Sequence, residues 1–422
     1  MGSERLLDEA AYEQARYDEV LWRQAKALGV SRRRFLTLLA TGGTAAALGG
    51  LVSPRAAHGQ MPAAQTVAQA SPLVVKPVPG NLFYPFGSNF EMRWENLTGR
   101  GYLVPNELFF IRNHSRTPRI DPATWRLRIE GSGVARPLEL TYDDILSLPD
   151  TSVRRYVECA GNGRSFFEAA YNRRAQGTQW RLGAVGVAEW TGVPLREILS
   201  RAGVKPTAVD VMPEGLDDLK VRRPMSIAKA MEPDTLLVYA MNGHPLPPDH
   251  GFPARVLVPG WIGVASVKWV GRLEVSETPI FSPWNTTSYV MVGPTYQKPA
   301  NSPADGPVLS LQNVKSALEL AWPAELRAGR HTIRGRSWGP YAITKVEYSL
   351  DRGVSWQEAR IRDRQAPRAW VRWEFSWDAR PGDYSIRVRA TDAQGNTQPA
   401  IVPFNEQGYL YNGIVGHPVM VV

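Results

Sequence analysis

Prolines and glycines interrupt this chain throughout, with 34 and 37 of them among its 422 residues. Each proline removes a backbone donor and fixes φ, and each glycine weakens the interior of a helix or strand. The composition therefore favours short elements joined by many turns over long helices. The length allows two or three domains, and 43% hydrophobic residues supply material for their cores.

The pattern of predicted elements changes near residue 300. From 85 to 300, short strand-like runs alternate with turns and a few helices, which indicates an α+β, mixed α/β domain. The predicted strands there cover residues 108–112, 125–129, 255–260 and 267–275. The predicted helices cover residues 141–148 and 195–202. From 301 to 422, short strands recur without helices, for example at 343–349. This spacing predicts an immunoglobulin-like β-sandwich.

The first 59 residues have the layout of an export leader. Ser-Arg-Arg-Arg-Phe-Leu at 31–36 precedes a weakly apolar run that ends near residue 52, and small residues follow. This order is typical of a twin-arginine signal. We predict a leader over 1–59, a flexible lead-in over 60–84, and an exported, periplasmic protein without a stable membrane span in the mature chain. A basic surface helix and a short membrane span are the alternatives.

The chain has a single cysteine, Cys159, and a formal net charge of +9. One cysteine excludes an intramolecular disulfide, a haem attachment motif and an all-cysteine iron–sulfur site within the chain. The positive charge is compatible with nucleic acid, a membrane surface or a small anion as a partner. Because the sequence contains no lysine-rich tract or nucleic-acid-binding module, we predict a small anion and no nucleic acid.

The residues around Cys159 are not typical of a packed core. Ala-Gly-Asn-Gly-Arg follows it at 160–164, and glycine and asparagine permit turns and the close approach of a bulky group. A nearby arginine favours the thiolate, which is a good ligand for a soft metal. From these residues alone, a functional cysteine and a buried structural one are equally open.

Several motifs occur in one order along the chain. They are Phe-Phe-Ile-Arg-Asn-His at 109–114, Cys-Ala-Gly-Asn-Gly-Arg at 159–164, Glu-Trp-Thr-Gly-Val-Pro-Leu at 189–195, Asn-Gly-His-Pro-Leu-Pro-Pro-Asp-His-Gly-Phe-Pro at 242–253 and Gly-Asn-Thr-Gln-Pro at 395–399. Over residues 85 to 422 the chain resembles the sulfite oxidase family of molybdopterin oxidoreductases, in an exported bacterial form without a haem domain. The resemblance implies a molybdopterin-binding catalytic domain over 85–300 and a dimerisation domain over 301–422.

The resemblance also implies the cofactor and its site. The cofactor is one molybdenum with one molybdopterin dithiolene, without haem in this chain, and Cys159 is the implied metal ligand. Arg112, Arg164 and Tyr289 are the implied catalytic residues. The implied cofactor-binding residues are Phe110, Ile111, Arg112, Asn113, His114, Asp217, His250, Arg255, Ser266, Val267 and Lys268. Taken one at a time, three of these residues have a simpler structural interpretation. In that interpretation Tyr289 anchors a loop, His250 is a turn residue and Arg255 is a surface charge.

The implied reaction is oxidation of sulfite to sulfate by oxygen-atom transfer, in a homodimer that passes electrons to an external acceptor such as cytochrome c. Gln176 and Gln407 depart from the family pattern, which has a lysine and an arginine at these positions. Each change removes a positive charge from a pocket for a small anionic sulfur substrate. A sulfane-sulfur dehydrogenase and a sulfoxide reductase with the same cofactor therefore stay open. A non-catalytic periplasmic binding module is a further alternative of a different class.

Overall fold

A computed structural model of the chain describes residues 25, 26, 29–31, 35 and 73–422. Most of the predicted leader and residues 60–72 of the predicted lead-in lie outside the described residues, as does the twin-arginine motif apart from Ser31 and Phe35. Within the part that is described, no helix has the length and apolar character needed to cross a membrane. Residues 73–300 are here the N-terminal region and residues 301–422 the C-terminal region.

The N-terminal region contains a hairpin and two five-stranded sheets. Its strands are β1 (Phe83–Phe86), β2 (Asn89–Met92), β3 (Arg126–Glu130), β4 (Leu138–Thr141), β5 (Thr151–Glu158), β6 (Val185–Pro194), β7 (Asp210–Gly215), β8 (Met225–Ser226), β9 (Leu236–Met241), β10 (His244–Pro245), β11 (Arg255–Leu257) and β12 (Val270–Ser276). Strands β1 and β2 form the hairpin, one sheet has the order β10-β9-β6-β5 with β11 also paired to β9, and the other has the order β4-β3-β12-β7-β8.

The helices of this region are all short. They are α1 (Tyr142–Ser147), α2 (Phe166–Tyr171), α3 (Leu195–Arg201), α4 (Ile227–Ala230) and α5 (Pro283–Thr286), with 3-10 turns at Trp94–Leu97, Pro248–His250 and Gly263–Ala265. Thr141 starts α1 with a capping box, since its side chain accepts the Asp144 N–H and the Asp144 side chain accepts the Thr141 N–H. The predicted helices at 141–148 and 195–202 are therefore confirmed as α1 and α3.

The predicted strand at 108–112 is wrong. Its residues form a turn, and only Ile111 pairs with another strand-like segment, through an isolated bridge to Phe90. Leu108 to Ile111 are all buried, so the continuous apolar run reflects a loop enclosed by the core. The other predicted strands appear as β3, β11 and β12 with shifted ends.

The C-terminal region is a β-sandwich. Its strands are β13 (Lys315–Leu318), β14 (Ala324–Leu326), β15 (Gly329–Trp338), β16 (Ile343–Ser349), β17 (Gln357–Glu358), β18 (Arg360–Ile361), β19 (Trp370–Ala379), β20 (Gly382–Asp392) and β21 (Gly416–Val421). They form sheets of order β13-β15-β19-β18 and β14-β21-β20-β16-β17. Both sheets contribute to one core, for example Trp373 from the first and Val346 and Ile386 from the second. The predicted fold, a mixed α/β domain followed by a β-rich one, is confirmed.

The two regions share buried contacts. Trp338 of β15 stacks on Trp94 with ring centroids 5.8 Å apart, and both belong to the large core of the N-terminal region. Arg336, fully buried, pairs with Glu319 at 2.7 Å and donates to the carbonyl of Tyr102 at 3.0 Å. The packing is therefore continuous across residue 300, and the predicted domain boundary there stays a prediction.

The start of the packed region lies earlier than we predicted. Asp249 accepts the backbone N–H groups of Val75 at 3.0 Å and Lys76 at 2.8 Å. Lys76 Nζ in turn donates to the carbonyl of Asn106 at 3.1 Å, and Phe83 begins β1. Residues 73–84 are thus tied to the N-terminal region, which corrects the part of the predicted flexible lead-in that the structure describes.

Candidate active site

A cavity of about 700 Å³, here the inner cavity, brings together most of the predicted site residues. Those that line it are Phe110, Arg112, Asn113, His114, Cys159, Asp217, His250, Arg255, Ser266, Val267, Lys268 and Tyr289. They come from the enclosed loop before residue 115, the position directly after β5, the loop after β7, the residues around β11, the segment before β12 and the segment after α5. Loops at the ends of rigid strands commonly form such sites.

A second cavity of about 850 Å³, here the outer cavity, adjoins the first. It is lined by Arg112, Cys159, Arg164, Gln176, Gly177, Thr178, Thr287, Ser288, Tyr289, Gln407 and Tyr409. Arg112, Cys159 and Tyr289 line both cavities. Arg164 therefore lies on the outer side, beside the two glutamines that depart from the family pattern.

Ile111 is outside both cavities. Its side chain is buried in a small apolar cluster with Val74, Phe83 and Phe90. Its main-chain N–H donates to the Phe90 carbonyl at 3.0 Å. The contact with the cofactor that we predicted for Ile111 stays a prediction.

Cys159 lies directly after β5, where the chain turns away from the sheet. Its N–H donates to the carbonyl of Ala184 at 3.0 Å, and its own carbonyl accepts the N–H of Asn162 at 2.9 Å. The residue is 6% exposed, and Arg112 lines the same two cavities beside it. Burial lowers the pKa of Arg112, but the nearby Tyr289 and Cys159 reverse this and raise it. The thiol is thus presented between the two cavities beside a permanent cation.

Arg164 is held by main-chain carbonyls and is closely flanked by glycines. Its Nε donates to the Gln407 carbonyl and its Nη1 to the Thr178 carbonyl, each at 2.8 Å. A Cβ at Gly161 would lie 2.5 Å from Arg164 Nη2, and one at Gly408, where φ is +59°, would lie 2.5 Å from Arg164 Cγ. These glycines are required because any larger residue would push the guanidinium aside.

Tyr289 and His114 form a neutral pair at the junction of the cavities. Tyr289 Oη lies 2.9 Å from His114 Nε2, and its ring stacks on Tyr409 with centroids 5.1 Å apart. Burial, then the charges of Arg112 and Lys268, lower the pKa of His114 well below its usual value. Burial raises the pKa of the Tyr289 phenol above its usual value. Both groups are therefore uncharged near neutral pH, and they share one hydrogen bond.

The far end of the inner cavity is rich in buried cations. Arg255 donates to the carbonyls of His250 at 3.1 Å and Ser266 at 2.8 Å, and Lys268 donates to the carbonyl of Asp249 at 2.7 Å. Burial lowers the pKa of Arg255 to about 9, and burial together with Arg255 lowers that of Lys268. Buried cations whose contacts are largely main-chain carbonyls are stabilised by an anionic ligand.

Two buried nitrogen atoms without a hydrogen-bond partner indicate whether a cofactor fits this cavity. Among the residues described, His250 Nε2 and Arg255 Nε are buried without a hydrogen-bond partner, although both residues line the inner cavity. Buried polar groups are nearly always paired. Asp217 adds a carboxylate, which accepts the Val221 N–H at 3.0 Å and the Ser115 hydroxyl at 3.1 Å. Donors, an acceptor and cations in one cavity fit a pterin that carries a phosphate.

Two further residues were missed by the sequence analysis. Phe109 lines the inner cavity and meets the His250 ring edge-on at 5.3 Å. Tyr409 lines the outer cavity and lies 5.2 Å below the Arg164 guanidinium. Phe109 belongs to the aromatic motif at 109–114, which was a usable signal, and Tyr409 lies two residues after Gln407.

The comparisons with known proteins agree with this geometry. The chain matches the oxidoreductase molybdopterin-binding domain over residues 114–284 and the dimerisation domain of molybdenum-cofactor oxidoreductases over residues 312–416. It is 35% identical to sulfite oxidase of Gallus gallus over 74% of this chain and 72% of that protein. The chain belongs to the sulfite oxidase family. Our predictions of the family and of a molybdenum–molybdopterin cofactor are confirmed, and the matches support an oxidoreductase rather than a non-catalytic module.

Two further comparisons show the extent of the match. Mitochondrial sulfite oxidase of Macaca fascicularis is also 35% identical, over 75% of this chain and 61% of that protein. The chain thus spans about three fifths of that relative's length. The crystal structure of the sulfane dehydrogenase SoxCD from Paracoccus pantotrophus aligns with a TM-score of 0.71 and 28% identity, over 89% of this chain and 98% of that one. The family fold therefore extends over both regions.

Proposed function

We propose that this enzyme oxidises sulfite to sulfate. The observation that carries the proposal is the outer cavity, where Cys159, Tyr289 and two arginines, Arg112 and Arg164, meet. Two guanidinium groups match the charge and the oxygen atoms of a small sulfur oxyanion. The reaction consumes one water and releases sulfate, two protons and two electrons. The molybdenum centre, when bound, supplies the exchange of an oxygen atom and of electrons with the substrate.

The residues of the chain would divide the remaining work. Cys159 would bind the metal, while Asp217, His250, Arg255 and Lys268 would hold the cofactor along the inner cavity. Arg112 and Arg164 would bind and orient the substrate oxygens. Tyr289, neutral and hydrogen-bonded to His114, would donate to an oxygen of the substrate or of the attacking water without adding charge. The loop glycines around Arg164 would keep its guanidinium aimed at the substrate.

The partners and the location are part of the same proposal. Electrons would pass singly to an external acceptor such as cytochrome c, since no haem attachment motif is present in the sequence. The C-terminal region would join two copies into a homodimer, as its match to a dimerisation domain supports. The leader over 1–59 would direct the folded protein to the periplasm. These proposals rest on the sequence motifs and on the family.

A sulfane-sulfur substrate is the second candidate. It is supported by the structural likeness to a sulfane dehydrogenase over 98% of that chain. It is also supported by Gln176 and Gln407, which line the outer cavity as neutral groups. Gln407 Nε2 donates to the Thr287 carbonyl at 2.8 Å, so its side chain supplies no cation to the pocket. A less positive pocket favours a substrate of lower charge than sulfite.

Metal analysis and paired assays test these proposals. The chain is purified from cells that make molybdopterin, and molybdenum is measured in the wild type and in Cys159→Ser. We expect near-stoichiometric metal in the wild type, and we expect the thiolate-to-metal absorption to be lost in the variant. Ser337→Ala, which changes a buried hydroxyl of the C-terminal region, is the matched control and should retain both.

Separate assays with the two substrates then distinguish the two candidates. Reduction of cytochrome c is followed with sulfite and with a sulfane-sulfur compound, each at the same ionic strength. A higher kcat/KM for sulfite supports the first candidate, and a higher value for the sulfane supports the second. A folded wild-type protein that never binds molybdenum would contradict both.

A further inference from the structure

The cysteine segment carries a buried ion pair whose cation comes from the C-terminal region. Lys315 Nζ, in β13, lies 2.7 Å from Glu158 Oε1, and the two side chains are 1% and 0% exposed. Glu158 is the residue directly before Cys159. The pair therefore connects the β-sandwich to the position next to the thiol.

Additional hydrogen bonds extend this connection across the cysteine segment. Lys315 Nζ also donates to the Asn162 carbonyl at 3.1 Å, and the Asn162 side-chain amide donates to Glu158 Oε1 at 2.9 Å. Gln312 Nε2, three residues before Lys315, donates to the Glu158 carbonyl at 2.9 Å. Residues 158 and 162, on either side of Cys159, are thus both fixed from β13 and the residues before it.

Stability alone does not explain this arrangement. A buried ion pair offsets its desolvation only when its geometry is good and the remaining polar atoms are also paired. Within the described part of the chain, Glu158 Oε2 is buried without a hydrogen-bond partner. The pair therefore adds little net stability, and its directional contacts act on the conformation of the segment instead.

We propose that Lys315 is a positioning residue that, through Glu158 and Asn162, holds the Cys159 thiol where it faces both cavities. The proposal deepens the proposed function and rests on it, because the thiol orientation matters when Cys159 binds the metal. The C-terminal region then contributes to the metal site as well as to dimerisation. Movement of β13 would change the direction of the thiol.

Alkylation of the single cysteine tests this proposal. Lys315→Met leaves the Glu158 carboxylate without its cation, so the segment should open more often. We expect iodoacetamide to modify the cofactor-free, full-length variant at least about fivefold faster than the wild type. Because the chain has one cysteine, the mass of the intact protein reports Cys159 alone. In the loaded enzyme we expect a shifted thiolate-to-metal absorption and a lowered kcat with little change in KM.

Arg336→Met is the matched control. The Arg336–Glu319 pair is also 2.7 Å long, with side chains 0% and 5% exposed. Arg336 also links the two regions, because it donates to the Tyr102 carbonyl at 3.0 Å. Its contacts do not include the cysteine segment. Both variants should lose roughly 5 °C or more in Tm, but only Lys315→Met should speed alkylation. Equal alkylation rates in the two variants would overturn the proposal.

A double variant keeps the test decisive if Lys315→Met folds poorly. Glu158→Gln combined with Lys315→Met removes both charges, so its Tm should exceed that of Lys315→Met. Its alkylation should remain faster than that of the wild type, because the link from β13 is still broken. A wild-type rate in the folded double variant contradicts the proposal. Absence of molybdenum from the wild type would contradict the proposed function but would not affect these rates.

Discussion

At the scale of single residues, burial decides the charge of the groups around the cavities. Burial lowers the pKa of His114 and His250 well below 6.5 and that of His417 to about 4. It raises the pKa of Glu91 to about 7, although backbone N–H groups of Arg181 and Gly183 oppose the shift. The folded chain therefore keeps three histidines neutral and one carboxyl protonated under mildly acidic conditions.

These shifts predict that the cofactor-free chain loses stability as pH falls from 6.5 to 5. On unfolding, His114, His250 and His417 take up protons near pH 6.5, whereas Glu91 releases one above pH 4.5. Through these four groups the unfolded state thus binds more protons, up to a net of two, each worth roughly 1.4 kcal/mol per pH unit. The lowered pKa values of the buried Lys76 and Lys268 act in the same direction. Urea unfolding at several pH values measures the slope.

Two substitutions check the assignment of this slope. His417→Gln removes one of the three buried histidines and should flatten the dependence by about one proton. His331→Gln, in an exposed part of β15, is the matched control. A slope of zero or of opposite sign in the wild type would mean that the histidines are charged in the folded chain.

At the scale of elements, the segment at 73–76 acts as a strap over the cavity loops. The Asp249 carboxylate accepts two backbone N–H groups of this strap and the hydroxyl of Thr117 at 2.5 Å. Thr117 in turn accepts the Asn113 amide at 2.9 Å, and Asn113 lines the inner cavity. One carboxylate therefore couples the start of the packed region to the cofactor loop.

Asp249→Asn should loosen this strap. The amide replaces a charged acceptor and presents its own N–H groups to the donors of Val75 and Lys76, so we expect a loss of about 1.5–3 kcal/mol in unfolding free energy. Hydrogen exchange at residues 75 and 76 should quicken. Asp121→Asn, where the carboxylate accepts one N–H in an exposed turn, should change stability little. Unchanged exchange at 75 and 76 would show that other contacts hold the strap.

Sequence patterns predicted some elements well and others poorly, for physical reasons. The alternation at 125–129 predicted β3 to within one residue, because Leu127 and Ile129 are buried and the positions between and beside them are not. The run at 108–112 was mistaken for a strand, since a loop enclosed on all sides is as apolar as a buried strand. The motifs predicted most cavity residues. The pairing of Arg164 with the Gln407 carbonyl depends on tertiary packing, which no local pattern contains.

At the scale of the whole molecule, the two regions behave as one packed body. Trp338 and Trp370 of the β-sandwich belong to the large core of the N-terminal region, where they contact Trp94. Arg336 adds a buried link through the Tyr102 carbonyl. Shared cores of this kind favour a single cooperative unfolding transition.

Trp338→Ala should therefore destabilise both regions together. The side chain is fully buried, and its removal should cost about 3–5 kcal/mol. Calorimetry should show one transition at a lower Tm, and hydrogen exchange should quicken on both sides of residue 300. Val354→Ala, at a position 86% exposed, is the control and should leave Tm unchanged. Two separate transitions, with only one shifted, would mean that the regions fold independently.

The contribution of Gln407 and Tyr409 to the outer cavity has a consequence for biosynthesis. Cys159 and Arg112 leave the ribosome long before these two residues are translated, so the walls of the outer cavity are still incomplete when the N-terminal region first collapses. The Arg164 guanidinium likewise lacks its carbonyl partner at residue 407 until then. The outer cavity is therefore completed only once residues 407–409 have been synthesised and packed, later than the inner cavity, whose last lining residue is Tyr289.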